Sequence, residues 1–178
     1  MSPEEFERHV RQLEGMRLER VRYYEHPGSY PAWRELAVLD SISYGVDLIG
    51  DDRAWCVTWD NRIVDYGLIV HEGILLDLLK DALVTDVTQD SRWSSLVGQR
   101  ISQVRVHWCP VQDGSPGVDG RYPQDIQLVF EQGHVVLFSA ATSELGKRAL
   151  VEMADNVAVL FGDDVIRVYG LGPYRPAG

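Results

Sequence analysis

The sequence predicts an α+β protein built mainly on antiparallel strands. Three observations carry this. Two tight reversals, Gly50-Asp51-Asp52-Arg53 and Glu131-Gln132-Gly133, each separate strand-like runs. Side chains alternate with period two along Ile101 to Cys109 and Asp125 to Phe130. Helical spacing is confined to the first residues and a few short stretches. Seven or eight strands are expected in one curved sheet or partly open barrel, with an N-terminal helix and two or three short helices.

The N-terminal helix follows from local chemistry. Ser2 can cap it, Pro3 suits the first helical position, and Glu5 completes a capping box. Phe6, Val10 and Leu13 share a helical face, and Gly15 can end the helix. Arg17 to Tyr24 reads as a strand, followed by a loop at Pro27 to Pro31. Ile42 to Ile49 and Ala54 to Asp60 form the first hairpin. In its second arm Trp55, Val57 and Trp59 face one way, with Cys56, Thr58 and Asp60 facing the other. Ile63 to Val70 continues the meander.

Between Ile74 and Val84 the period changes. Leu75, Leu76, Leu79 and Leu83 lie opposite Asp77, Lys80 and Asp81, which is amphipathic helix spacing. Thr85 to Ser95 reads as a polar loop containing Trp93. After the strand at Ile101 to Cys109 and a Gly/Pro-rich loop comes the second hairpin, Asp125 to Phe130 and His134 to Ser139. A short helix is expected at Ser143 to Met153, a strand at Asn156 to Phe161, and a closing helix from Asp163 capped by Gly170. Residues 1–172 are read as one domain and 173–178 as a loose tail, since 178 residues suffice for one well-buried core.

Charge narrows the function classes. The formal net charge is −10, with 27 acids against 17 Lys and Arg. Such a balance argues against nucleic acid and anionic membrane surfaces, and favours basic partners at long range. Nine acids and three basic residues lie between Asp51 and Asp90, so more than half the net charge falls in forty residues. Acids near the N-terminus do not fit a signal peptide, and no apolar run approaches the ~20 residues of a membrane helix. A cytoplasmic chain with Cys56 and Cys109 as free, buried thiols is expected.

No residue set amounts to a catalytic or cofactor signature. There is no Gly-x-Ser-x-Gly elbow, and Cys109 with His107 on one strand lacks an orienting third group. The five histidines are scattered without metal-ligand spacing, so neither a metal nor a cofactor is expected. Asp51, Asp52, Asp60 and Asp65 are candidate contacts to a basic partner, together with the loop aromatics Trp33, Trp93 and Tyr122 as exposed anchors. The alternative is a small-molecule pocket or active site on the concave sheet face near His71, His107 and Glu131. A structural homo-oligomer is the third reading.

Two segments, Tyr122 to Gly133 and Asp155 to Phe161, resemble uncharacterised small bacterial domains, some of which look like immunity proteins that neutralise polymorphic toxins. The resemblance covers roughly the last third of the chain. It implies a non-enzymatic protein that docks a partner, and it carries over no catalytic residue.

Overall fold

The computed structural model describes residues 1–28, 38–60, 67–79, 81–111, 117, 120–143 and 150–176. Helix α1 (Pro3–Val10) runs into a 3-10 turn at Arg11–Leu13. Strands β1 (Leu18–Glu25), β2 (Leu39–Ile42), β3 (Gly45–Gly50), β4 (Ala54–Asp60) and β5 (Gly67–Glu72) follow. After a 3-10 turn at Leu75–Asp77 come β6 (Leu83–Asp86) and helix α2 (Ser91–Ser94). Strands β7 (Ile101–Pro110), β8 (Arg121–Phe130), β9 (Val135–Ser143) and β10 (Leu150–Phe161) precede helix α3 (Asp163–Val168) and a last 3-10 turn at Gly172–Tyr174.

The strands form two antiparallel sheets, in the orders β5-β4-β3-β1-β6 and β2-β10-β9-β8-β7. The α+β class and the antiparallel pairing match the sequence expectation. The strand count and layout differ: ten strands are seen among the described residues, in two sheets not closed into a barrel. Two of the additional strands, β2 and β6, have only four residues each, too few for alternation to reveal.

One apolar core joins the inner faces. Val21, Tyr23, Leu48 and Val57 of the first sheet share it with Leu128, Phe138, Val157 and Val159 of the second. Phe6, Val10 and Leu13 bring α1 onto the same core, and the Phe6 ring meets Trp108 edge-on at 5.5 Å. The helix starts as its sequence dictates: Ser2 Oγ accepts from the Glu5 N–H at 3.2 Å, and Glu5 accepts from the Ser2 N–H at 2.7 Å. Backbone bonds Gly15 N–H to Ile101 O and Gly98 N–H to Leu18 O stitch the start of β1 to the start of β7.

Two further expectations are corrected. The short helix at Ser143 to Met153 gives way to β10 from Leu150 onward, because Leu150 to Glu152 pair with Ser143 to Ala141 of β9; residues 144–149 lie outside the described residues. Of the tail expected to be loose from Pro173, residues 173–176 are pinned, since Arg175 closes on the fully buried Asp125, and residues 177–178 lie outside the described residues. Among the described residues no helix is long and apolar enough to cross a membrane.

Candidate docking edge

Among the described residues strand β6 ends the first sheet and pairs with β1 alone, Tyr24 facing Val84 and Glu25 facing Leu83. The leucine spacing from Ile74 predicts a helix here, but among the described residues only the 3-10 turn Leu75–Asp77 forms. Asp47, buried on β3, accepts the Leu75 N–H at 2.8 Å and the Tyr24 hydroxyl proton. That clamp draws Leu75 under the outer face of the sheet, against Tyr24 and Cys56. The free edge of β1 then takes up Leu83 to Asp86 as a strand, so tertiary pairing overrides the helical period.

The consequence is an unusual surface. Leu76, Leu78, Leu83 and Val84 are exposed by 45%, 58%, 45% and 37%. They make up half of the eight large apolar side chains exposed among the described residues, and they fall within nine positions. Exposed Asp77, Asp81 and Asp86 are interspersed with them. The helical stripe expected from the sequence includes Leu76 and Leu83 but not Leu78 or Val84, and in the structure all four are exposed.

A cleft lies on each side of β6. One, of about 800 Å³, opens on the outer face and is lined by His26, Pro27, Tyr44, Asp81, Ala82 and Leu83. The other, of about 350 Å³, faces the second sheet and is lined by Asp40, Thr85, Asp86, Asp90 and Arg92. Its floor is a hydrogen-bonded network. The Tyr23 hydroxyl donates to Asp40 at 2.6 Å, the Trp93 indole N–H donates to the Tyr23 oxygen, and Arg92 pairs with the other Asp40 oxygen. Burial raises the Asp40 pKa to about 6 and outweighs the Tyr23 hydrogen bond and the Arg92 charge. At the rim, hydrogen bonding from Thr88 holds the Asp86 carboxyl below its ordinary value.

The residues singled out from sequence are scattered. Asp51 and Asp52 are exposed in the β3–β4 turn, with Asp52 3.5 Å from Arg53. They sit at the Leu18 end of β1, whereas β6 pairs with its other end. Asp60 closes β4 opposite Gly67. Trp33 and Asp65 lie outside the described residues.

Trp93 and Tyr122 are not the exposed anchors expected. Trp93 is fully buried, stacked on Phe138 and edge-on to Phe161 at 5.0 Å, because the Tyr23–Asp40 network satisfies its N–H inside the core. Tyr122, 2% exposed, packs with Cys109 and Val111 on the outside of the second sheet. His71 stands opposite Cys56 in the first sheet. His107 contacts the Gln127 side chain at 3.1 Å in the second, and Glu131 is exposed in the β8–β9 turn. The polar groove between α1 and β7 holds His107 alone of these three. The inner sheet faces, where a concave pocket was expected, are filled by the shared core.

Among the described residues no three His, Cys, Asp or Glu side chains gather as metal ligands. The fold and edge therefore define a two-sheet antiparallel α+β protein with an acidic, partly apolar flank. Compared with known proteins, the chain matches no family model, no curated protein and no solved structure.

Proposed function

We propose that this chain is a non-enzymatic protein-binding domain that docks a basic partner along the flank formed by residues 74–86. The observation that carries the reading is the concentration of exposed Leu76, Leu78, Leu83 and Val84 among Asp77, Asp81 and Asp86. Apolar side chains ringed by charge are the arrangement of an interaction surface, where burial supplies affinity and charge supplies speed and selectivity. The net charge of −10 adds a long-range attraction for positive partners.

The likeness of residues 122–133 and 155–161 to immunity-type domains leads us to place this docking in a neutralising role, with a basic toxin as the partner. Capture experiments in the native host, with the product of the neighbouring gene tested directly, check this reading. A partner of high isoelectric point whose capture is lost with a Leu83→Lys/Val84→Lys variant supports it. Recovery of only neutral or acidic partners overturns it.

A further inference from the structure

We infer that the basic partner binds by adding an extended strand to the open edge of β6, and that this strand alternates basic with apolar side chains. The inference rests on the docking role proposed above and specifies its geometry. Among the described residues strand β6 is the last of its sheet and pairs only with β1, in continuous register from Arg22↔Asp86 to Glu25↔Leu83. Exposed sheet edges are usually guarded by Lys, Pro or a bulge. Leu83-Val84-Thr85-Asp86 has none of these. Among the described residues its guards are its own shortness, at four residues, and two acids, Asp81 before it and Asp86 at its end.

An acidic guard is selective. It repels a second copy of this chain, which brings another −10 to the contact, and it attracts a basic segment. The alternation follows from the two clefts. Successive side chains of an added strand point to opposite faces of the sheet. On the outer face they meet Tyr44, Ala82 and Val84, with Asp81 beside them, which favour an apolar side chain. On the face toward the second sheet they meet Asp40 and Asp90 with Arg92 opposing, which favours Lys or Arg, while Asp86 stands opposite Arg22 and 3.7 Å from Arg20.

The test uses the intact chain and a capped peptide of four Lys-Val repeats at low salt, with a Lys-Ser repeat and a Lys-Val repeat N-methylated at alternate residues as controls. Hydrogen exchange locates the contact and calorimetry measures affinity. The Lys-Val peptide is expected to slow amide exchange at Leu83 to Asp86 by roughly tenfold or more. Asp81→Lys/Asp86→Lys is expected to weaken binding by roughly tenfold or more, while Asp51→Lys/Asp52→Lys, at the far end of the sheet, leaves it unchanged. The N-methylated peptide should give no protection.

Binding of the basic peptides without protection at Leu83 to Asp86, or loss of binding in the Asp51→Lys/Asp52→Lys variant alone, overturns strand addition while leaving a basic docking role standing. Failure of all the basic peptides and of the high-pI partner to bind overturns both. Protection of Leu83 to Asp86 in a dimer of the chain alone also overturns the inference, because a second copy then occupies the edge.

Discussion

The guanidinium of Arg175 closes on the carboxylate of Asp125 through three N–H donations of 2.9–3.1 Å. Asp125 is fully buried on β8, accepts a fourth donation from the Gly172 N–H at 2.9 Å, and sits below a cation whose side chain is 18% exposed. Burial nevertheless keeps the Asp125 pKa above its ordinary value, ahead of the opposing pull of Arg175. The pair ties the end of the chain to the outside of the second sheet. Removing one partner leaves a buried charge uncompensated, so Arg175→Ala should lower unfolding stability by about 3–5 kcal/mol. Urea denaturation measures this. Adding Asp125→Asn to that variant should recover part of the loss, and purely additive costs would show that the two groups are not coupled.

Asp40 gives the fold a pH dependence whose sign is fixed by burial. Its pKa rises from 3.8 to about 6, so the folded state holds a proton that the unfolded chain has already released. The stabilisation is complete below about pH 4 and is lost as the pH climbs through about 6. At about 1.4 kcal/mol per pKa unit, the change amounts to about 3 kcal/mol. Asp40→Asn should remove this component, so the difference in urea midpoint between variant and parent should vary across pH 4 to 7. A constant difference would show that Asp40 titrates normally.

Both thiols should be inert in the folded protein. Burial pushes Cys56 up to about 12 and Cys109 up to about 11, against an ordinary 9.0. At pH 8 the thiolate fraction of Cys109 is then about a hundredfold below that of a free thiol, and that of Cys56 lower still. A disulfide reagent should label neither until denaturant is added, and then label both. Rapid labelling of native protein would place one of them at the surface.

Gly45 begins β3 where the backbone of β4 leaves no room. A Cβ there would collide with the Val57 carbonyl oxygen and stand 3.0 Å from the Thr58 side chain. Gly45→Ala should therefore cost about 1–3 kcal/mol through overpacking. Thermal denaturation of the variant tests this, and an unchanged midpoint would mean the hairpin can separate at no expense.

Sequence alone was most informative where short-range chemistry decides the structure. Ser2 and Glu5 form the capping box they spell, the alternation of Ile126, Leu128 and Phe130 faces the core, and Gly133 adopts the positive φ its turn requires. It misled where a distant partner decides. The leucines after Ile74 satisfy a helical period, yet the Asp47 clamp and the free edge of β1 take them elsewhere. Trp93 sits among polar residues in sequence, and only the Tyr23 hydroxyl and Phe138, brought from other strands, explain its burial. Of the candidate site, the acid-rich stretch was legible; the exposed leucines and the edge that carries them were not.

Strand β2 follows β1 and precedes β3 in the chain, yet among the described residues its strand pairing is with β10, Ile42 opposite Val157 and Leu39 opposite Leu160. Early and late segments must therefore meet before the second sheet gains its final margin, which requires closing a long loop. A growing polypeptide on the ribosome cannot seat Leu39 to Ile42 until β10 has emerged. Until then β9 lacks a neighbour on that side, so this layer closes only after Phe161 has been made.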